Sequence, residues 1–493
     1  MPYTLMTGGT GLLGAYLLRD GLLAGRRFAV IARPSRVESA RQRIDSLLAR
    51  FEAELDERLP RPVVLEGDLD AEGLGLGADA KHWVRRHCDQ FLHNAASLSF
   101  YHTPETGEPE RSNVDGTRRA LALCEEVGVA RFHHVSTAYV CGLRTGVCRE
   151  SELRVGQEWG NDYERSKVSA EEMVRGAGFL RQPTFYRPAI IVGDSRTGYT
   201  SSYHGFFTPL KVASALVDSF GDGPIDGTPI MAALGLKGHE QKNYVPVDWV
   251  SAVMTRLLGD PGAHGQTYHL TPRRRVTVQT TLRVIEDALV RRREARGGPA
   301  PPAAPPDLGV FREQMEVYRS YWRDDPEFDS TNTQRAVPDL PCPIVGYAAL
   351  MRMANYALEN GFGWPLPKPL RAPVDFHALL CGRFSGGDDP SRGAPIGLSV
   401  AGLGGGEWTL WETGGRLIAC EDGLSHAADA AIYLPIDSAA ALLDGSLTLG
   451  DAARTGRVHL EGADEPSRRR AAEALAALGP ALAGEPSSTM STA

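Results

Sequence analysis

The opening of the chain constrains its fold more than any other stretch. Residues Tyr3–Thr7 read as a short buried strand, and the apolar spacing of Ala15–Leu23 is helical. Between them, Gly8, Gly11 and Gly14 stand in a G-x-x-G-x-x-G arrangement. Glycines let backbone approach a pyrophosphate, and a helix N-terminus offers free N–H groups and a positive dipole end. The stretch predicts a dinucleotide-binding turn; a purely structural turn is the alternative.

Further strands and helices alternate along the first half of the chain. The predicted strands are Phe28–Ala32, Pro62–Leu69, Phe91–Ala96 and Arg131–Thr137, and Asn113 opens a predicted helix that runs to about Glu126. Strands that alternate with helices pair in parallel, because each crossover returns the chain in the same direction. The predicted fold class is α/β, with a Rossmann-like doubly wound parallel sheet.

A second pattern carries candidate chemistry. Tyr163 and Lys167 are four residues apart, so on a helix they share one face, and Ser136-Thr137 ends the last predicted strand. An ammonium beside a phenol favours the phenolate, so Lys167 is expected to lower the pKa of Tyr163 from its usual value of about 10. Thr137 would add a donor to a developing oxyanion. A surface tyrosine and lysine on a helix are the alternative.

Basic residues follow the second predicted strand. A free ribose 2′-OH prefers an acidic residue at this position, whereas Arg33 and Arg36 fit a 2′-phosphate. We therefore expect NADPH (NADP+) rather than NADH. Arg41 and Arg43 are interpreted as a solvated face of the following helix. Asp68, at the end of the third strand, is a plausible partner for the adenine amino group.

Composition excludes several classes of protein. The 493 residues carry a formal net charge of -8 without a long basic run, so nucleic acid is not an expected partner. The 7 cysteines include no C-x-x-C pair, which favours reduced thiols in a cytoplasmic protein and no metal site. We expect no signal peptide and no stable membrane insertion, because no apolar run approaches the roughly 20 residues that span a bilayer.

Eight motifs occur in a fixed order along residues 1–275. They are T-G-G-T-G-L-L-G from Thr7, G-D-L at Gly67–Leu69, H-N-A-A at His93–Ala96, N-V-D-G-T from Asn113, H-V-S-T-A-Y-V from His134, N-D-Y-E-R-S-K from Asn161, Y-R-P-A-I-I-V-G at Tyr186–Gly193 and N-Y-V-P-V-D at Asn243–Asp248. Together they resemble the extended short-chain dehydrogenase/reductase superfamily. Within it, the chain is most similar to the thioester-reductase and fatty-acyl-reductase branch, although epimerases and hydroxysteroid dehydrogenases share most of the motifs.

The resemblance implies a set of site residues. Thr137, Tyr163 and Lys167 would be catalytic, with Lys167 also on the nicotinamide ribose and Arg187-Pro188 closing over the nicotinamide. The residues implied to contact the cofactor are Thr7, Gly8, Gly9, Thr10, Gly11, Leu12, Leu13, Gly14, Arg33, Arg36, Asp68, Leu69, Asn94, Ala95, Ala96, Asn113, Tyr163, Lys167, Arg187, Pro188 and Ile190.

The expected activity is NADPH-dependent reduction of an acyl thioester, on coenzyme A or an acyl carrier protein, to an aldehyde or alcohol. The same trio would serve an NADP-dependent dehydrogenase or epimerase acting on an apolar alcohol or ketone, and a lipid-binding protein that only senses the cofactor is a third reading. Apolar residues between Ser195 and Lys242 suit an acyl chain, with a helix that merely covers the sheet as the alternative.

The second half changes character. We predict a reductase domain over 1–296, a proline-rich linker and helical extension over 297–374, a small α+β domain over 375–480 and a disordered tail over 481–493. The run from Leu442 to Gly462 resembles the sterol-carrier-protein lipid-transfer fold. That resemblance implies an apolar pocket for lipid or substrate, against a packing or dimerisation module, and it is compatible with a homodimer.

Overall fold

A parallel sheet organises the first part of the protein, whose computed structural model describes residues 2–216, 225–295, 315–365, 368–372, 374–384 and 393–482. The strands up to residue 336 are β1 (Tyr3–Thr7), β2 (Arg27–Ala32), β3 (Val63–Glu66), β4 (Cys88–His93), β5 (Arg131–Val135), β6 (Val147–Cys148), β7 (Thr184–Pro188), β8 (Ile190–Val192), β9 (Gln241–Lys242), β10 (Tyr244–Pro246), β11 (Thr267–Leu270), β12 (Val276–Thr277) and β13 (Glu327–Phe328). Among these residues, seven strands form one sheet in the order β11-β7-β5-β4-β1-β2-β3, and every pairing in it is parallel.

The helices of this part cover both faces of the sheet. They are α1 (Leu12–Leu23), α2 (Ala40–Leu55), α3 (Ala78–His87), α4 (Gly116–Val127), α5 (Asp162–Gly176), α6 (Phe207–Leu216), α7 (Thr228–Ala233), α8 (Val247–Leu258), α9 (Val278–Ala295), α10 (Thr331–Ala336) and α11 (Tyr347–Glu359). Successive residues of β1 point to opposite faces, so Leu5 joins the apolar cluster beneath α3 and α4 while Met6 joins the cluster beneath α1, α2 and α8. The predicted Rossmann-like fold class is confirmed.

The order of the strands fixes where a ligand can bind. From β1 the sheet grows on one side through β2 and β3, and on the other side through β4, β5, β7 and β11. The direction in which successive strands are added therefore reverses beside β1. Ligands of open α/β sheets bind in the crevice at the carboxyl ends of the strands at such a switch point. Three strands predicted to run to residues 69, 96 and 137 end earlier, at Glu66, His93 and Val135, because the residues that follow them turn into loops over this crevice.

A second sheet lies near the end of the chain. Its strands are β14 (Ala394–Ala401), β15 (Gly406–Thr413), β16 (Arg416–Asp422), β17 (Ala430–Pro435) and β18 (His459–Gly462), in the mixed order β16-β15-β14-β17-β18. Its helices are α12 (Phe376–Phe384), α13 (Ile436–Leu443), α14 (Leu449–Arg454) and α15 (Glu465–Leu482). Buried side chains such as Leu398, Trp408 and Ile432 form its own core.

This second sheet is docked at the amino end of β1. The Tyr3 hydroxyl donates to Glu407 Oε2 at 2.5 Å and accepts from the Leu424 N–H, and Trp83 Nε1 donates to the Asp422 carbonyl at 2.6 Å. Because the crevice lies at the carboxyl end of β1, the second sheet and the crevice lie at opposite ends of that strand.

The described part of the predicted helical extension over 297–374 begins with a 3-10 helix at Glu316–Tyr321 and includes α11. Lys242 Nζ donates to the carbonyls of Tyr321 and Arg323 at the end of the 3-10 helix. Residues 297–314 of the predicted linker and residues 483–493 of the predicted tail lie outside the described residues, whereas residues 481 and 482 of that tail belong to α15.

Candidate active site

A cavity of about 870 Å³ opens along the carboxyl ends of the strands. Its walls include the loops after β1, β2, β3, β4 and β5, the first turns of α5, and the chain around β8. The remaining wall comes from α6, α7, α9 and the residues around Tyr318. Residues from 393 onward contribute nothing to this wall among the described part of the chain.

The glycine turn forms a tight cradle at the start of α1. Gly8 has a φ of 73°, and a Cβ there would lie 2.6 Å from the Ala95 nitrogen. A Cβ on Gly14 would lie 2.0 Å from the Gly8 carbonyl oxygen, so the helix packs directly on the turn. Gly11 caps α1 without any side-chain acceptor, which leaves the first N–H groups of the helix directed at the cavity. This cradle fits a pyrophosphate.

Most other residues expected at the cofactor also line the cavity. Besides Gly8 and Gly11 they are Thr7, Gly9, Thr10, Leu12, Leu13, Arg33, Asp68, Leu69, Asn94, Ala95, Ala96, Tyr163, Lys167, Pro188 and Ile190. Asn94 Nδ2 donates to the Gly8 carbonyl at 3.0 Å and ties the loop after β4 to the glycine turn. Ser136 Oγ is buried on this wall without a hydrogen-bond partner among the described residues, so it is available to a ligand.

The basic residues after β2 separate into two groups. Arg33 is exposed on the cavity wall, and Arg43 lines the cavity beside it, with its guanidinium donating to the Arg33 carbonyl at 2.6 Å. Arg36 is exposed and lies outside the wall. The sequence predicts that Arg43 lies on a solvated helix face. In the structure Arg43 lies in the first turn of α2 and contacts Arg33, a proximity that residue spacing does not show.

Three other residues expected at the cofactor lie elsewhere. Arg187 is a buried residue of β7 whose guanidinium donates to Glu171 Oε1 at 2.7 Å, so only Pro188 of that pair reaches the cavity. Asn113 uses its amide to hold Ser97 and Ser166, which joins the loop after β4 to α5. Gly14 lies beneath the cradle and packs against it. These three residues have positions that stabilise the site without facing it.

The structure brings the catalytic candidates together. Asn161 caps α5 by accepting from the Glu164 N–H at 2.9 Å, and α5 carries Tyr163 and Lys167 to the cavity one turn apart. Lys167 Nζ donates to the Val135 carbonyl at 2.7 Å. Thr137 also lines the cavity, and its hydroxyl accepts from the Tyr139 N–H at 3.3 Å.

The electrostatics differ from the sequence-based expectation. Burial raises the pKa of Tyr163 to about 12, although the hydrogen bond with Thr137 acts in the opposite direction. Burial also lowers the pKa of Lys167 to about 8, with Glu171 opposing that shift. Desolvation therefore outweighs the expected phenolate stabilisation by the ammonium. At neutral pH the pair consists of a phenol that can donate a proton and an ammonium.

The remaining wall of the cavity is mostly apolar, and we call it the apolar lobe. It is formed by one face of α9 together with residues from α6, α7 and their neighbouring loops. Its members are Pro209, Ala213, Ile225, Met231, Leu234, Leu236, Leu282, Ile285 and Leu289. The charged side chains beside it are engaged, since Glu286 accepts from the Gly227 N–H at 2.8 Å and Lys242 pairs with Asp325 at 2.6 Å.

Comparison with known proteins agrees with this geometry. The NAD-binding family described as male sterility protein matches residues 6–254, just over half of the 493 residues. The chain belongs to this family. Family membership and the glycine cradle together identify a nicotinamide dinucleotide as the cofactor. No group of metal-ligating side chains occurs among the residues described.

Curated relatives share the family but are much longer. A nonribosomal peptide synthetase of Aspergillus flavus, asaC, is 24% identical over 367 residues, which is 68% of this chain and 34% of that protein. The aldehyde reductase lnaA of the same species is 24% identical over 371 residues, 68% of this chain and 34% of that protein. The chain thus spans about a third of the length of these relatives.

Solved structures establish the fold of this family member. The terminal R domain of the myxalamid PKS-NRPS pathway has a TM-score of 0.55 at 24% identity, covering 74% of this chain and 93% of that one. A UDP-glucose 4-epimerase of Bifidobacterium longum, in complex with NAD+ and UDP, has a TM-score of 0.50 at 17% identity, covering 73% of this chain and 100% of that one. In the part of the chain that the structure describes, no helix is long and apolar enough to cross a membrane.

Proposed function

We propose that this protein is an NADPH-dependent reductase that converts an acyl thioester to an aldehyde or alcohol. The observation that carries the proposal is one continuous cavity whose wall includes the glycine cradle, the Thr137–Tyr163–Lys167 trio and the apolar lobe. A dinucleotide, a proton donor and an acyl chain would thereby meet at one point. Relatives described as aldehyde reductases and as peptide-synthetase reductase domains support the same reaction class.

The proposed chemistry balances with the groups present. The bound cofactor supplies the hydride. Tyr163 gives its phenolic proton to the carbonyl oxygen, and Thr137 donates a second hydrogen bond to that oxygen as charge develops. The product of this step is a hemithioacetal, whose C–S bond breaks to release a thiol and an aldehyde. A second hydride and a second proton would convert the aldehyde to an alcohol.

The protonation state of the trio suits reduction. A phenol with a pKa of about 12 holds its proton throughout the neutral range, which a proton donor requires. The Lys167 ammonium, positioned by the Val135 carbonyl, stabilises negative charge left on the phenolate after transfer. No cysteine nucleophile is needed for this route.

The basic wall beneath β2 supports a preference for NADPH. Arg33 is exposed on the cavity wall after β2, and Arg43 lines the same wall with its guanidinium donating to the Arg33 carbonyl. Two guanidinium groups can bind a phosphate through charge-assisted hydrogen bonds. The uncharged ribose 2′-hydroxyl of NADH cannot form such bonds.

The thiol half of the substrate remains open between coenzyme A and a carrier protein. A solved thiolation-reductase di-domain from an archaeal peptide synthetase has a TM-score of 0.53 at 16% identity, which gives the carrier-protein option a structural parallel. A cytoplasmic location and a homodimer stay predictions.

The lipid-transfer resemblance of the predicted domain over 375–480 also remains a proposal. The mixed five-stranded sheet with helices packed on it supports that resemblance. Its distance from the cavity argues that any lipid held there would be a separate ligand. We expect a fluorescent fatty acid to bind the protein with an affinity that NADPH does not change. Absence of binding would favour the alternative, a packing or dimerisation module.

The testing experiment follows NADPH consumption with a panel of acyl thioesters, ketones and alcohols, with products identified by mass spectrometry. Release of thiol with an aldehyde or alcohol product is expected, and the product shows how many hydrides are delivered. Turnover restricted to ketones or alcohols would instead assign the protein to the dehydrogenase alternative.

A further inference from the structure

The segment of residues 315–325, here called the brace, contacts residues beside the catalytic trio from a distant part of the sequence. Asp325 is buried within it, and one of its oxygens accepts from the Tyr139 hydroxyl at 2.7 Å and from the Asn243 N–H at 2.9 Å. The other oxygen pairs with Lys242 Nζ at 2.6 Å. Every hydrogen bond to this carboxylate comes from a group fixed on the reductase domain, so the brace is held in place.

The Asp325 contact continues to the catalytic threonine. Tyr139 follows Thr137 by two residues, and its backbone N–H donates to Thr137 Oγ1 at 3.3 Å. Because Thr137 Oγ1 accepts there, its own proton must point elsewhere, and its protein acceptor Pro188 O lies at the long distance of 3.5 Å. The anchored Tyr139 therefore fixes the position of Thr137 Oγ1, and the weak bond to Pro188 O leaves the hydroxyl proton free to turn to a ligand in the cavity.

The brace also holds the start of the helix that carries Tyr163. Asn161, the cap of α5, donates to Tyr321 Oη and to Ser320 Oγ, both at 3.2 Å. The Tyr321 ring packs edge-on against Tyr139, with centroids 5.4 Å apart, and packs at a tilt against Phe100, with centroids 5.3 Å apart. One residue thus contacts both the capped end of α5 and the neighbour of Thr137.

We propose that Asp325 and Tyr321 are positioning residues for the catalytic trio, with Asp325 acting on Thr137 through Tyr139 and Tyr321 acting on Tyr163 through Asn161. The proposal rests on the proposed reductase function. It adds that the active site is incomplete without the brace, which lies beyond the 6–254 segment matched by the family.

A double-mutant cycle tests the route through Tyr139. Tyr139→Phe removes one hydroxyl and is expected to lower kcat about tenfold, with KM and NADPH affinity changed less than about twofold. In a Thr137→Ala background the same substitution should change kcat by less than about twofold, because the group it positions is gone. An equal decrease in kcat in both backgrounds would overturn the proposal, because a general packing defect would lower kcat whether or not Thr137 is present.

The chain offers matched controls for both positioning residues. Asp324 is the adjacent carboxylate but is exposed and accepts from the Gln241 N–H, so Asp324→Asn should leave kcat within about twofold. Tyr318 lies one turn before Tyr321 and also lines the cavity. Tyr321→Phe should lower kcat more than Tyr318→Phe does; a larger effect of Tyr318→Phe would count against the assigned role.

Hydrogen exchange tests the same contacts without any substrate. Amides of residues 137–142 are expected to exchange faster in Asp325→Asn than in Asp324→Asn, and amides of residues 161–167 faster in Tyr321→Phe than in Tyr318→Phe. Unchanged exchange in both segments would sink the proposal even if no thioester is turned over. Failure of every thioester as a substrate, with the exchange differences present, would instead remove the proposed function and keep the positioning contacts.

Discussion

The two parts of the cavity are built in different ways. The cradle consists of backbone and small side chains, with Gly8 against Ala95 and Gly14 against Gly8 approaching more closely than larger residues would allow. The apolar lobe consists of larger side chains such as Leu282 and Ile285 of α9 and Met231 of α7, so separate helices contribute to it. Backbone geometry recognises a constant group, whereas side-chain volume can change without disturbing the fold. The difference predicts a cradle that tolerates almost no substitution and a lobe that sets substrate choice.

The largest effect is expected where the two parts meet. Tyr163→Phe removes the proton donor and should lower kcat by about 10²–10⁴-fold, because general acid catalysis contributes that much. NADPH binding, measured by fluorescence titration, should be retained because the cradle is untouched. Unchanged turnover would remove Tyr163 from the mechanism.

A substitution beneath the cradle should disturb the fold itself. The Cβ of Gly14→Ala would meet the Gly8 carbonyl at 2.0 Å, so we expect a loss of about 1–3 kcal/mol in unfolding free energy together with loss of NADPH binding. Gly176→Ala is the control, since a Cβ there has no neighbour within 4 Å. Denaturant unfolding of both variants gives the comparison, and equal stabilities would show that the turn relaxes easily.

The cofactor preference sharpens the description of the cradle. Arg33→Ala should weaken NADPH binding about 10–100-fold and NADH binding little, because charge-assisted hydrogen bonds to a phosphate would be lost. Arg36→Ala, outside the cavity, should change neither. Equal losses for the two cofactors after Arg33→Ala would remove the 2′-phosphate assignment.

The apolar lobe should respond in substrate range alone. Leu282→Ala enlarges the lobe, and the acyl chain length with the highest kcat/KM is expected to increase, with roughly a tenfold change between neighbouring lengths at most. NADPH affinity should stay constant. Arg283→Ala on the exposed side of the same helix serves as control. A changed NADPH affinity would show that the two parts of the cavity are coupled.

The smallest effect concerns pH. Because burial lowers the pKa of Lys167 to about 8, its charge is lost as pH rises through that value, and kcat/KM for reduction should fall to about half near pH 8. An unfolded lysine has a pKa of about 10.4, so between about pH 8 and 10.4 the unfolded chain binds more protons at this position than the folded chain. The contribution of Lys167 to the free energy of unfolding therefore rises with pH across that interval. Activity and this contribution thus move in opposite directions. A pH profile paired with denaturant unfolding checks both, and an activity limb only near pH 12 would assign control to Tyr163.

Sequence reasoning succeeded wherever local geometry decides the outcome. The strand, turn and helix around Gly8 follow from glycine spacing and apolar periodicity, and so does the shared face of Tyr163 and Lys167. The same reasoning misplaced Arg187, because strand alternation put its side chain on the face toward Glu171. It also overlooked Arg43, since a charged residue in a first helical turn looks solvated until the neighbouring strand is in place.

The sequence by itself determined the fold class, the cradle and the catalytic candidates, because each depends on residues within a few positions of one another. The tertiary structure decided the protonation of the trio, since the pKa of Tyr163 and Lys167 depends on burial by distant segments. It also decided that Tyr321 contacts Asn161 and Asp325 contacts Tyr139 beside the trio, and that residues 393–482 lie at the far end of β1. Contacts between residues hundreds of positions apart form only when the chain folds, and local sequence patterns do not predict them.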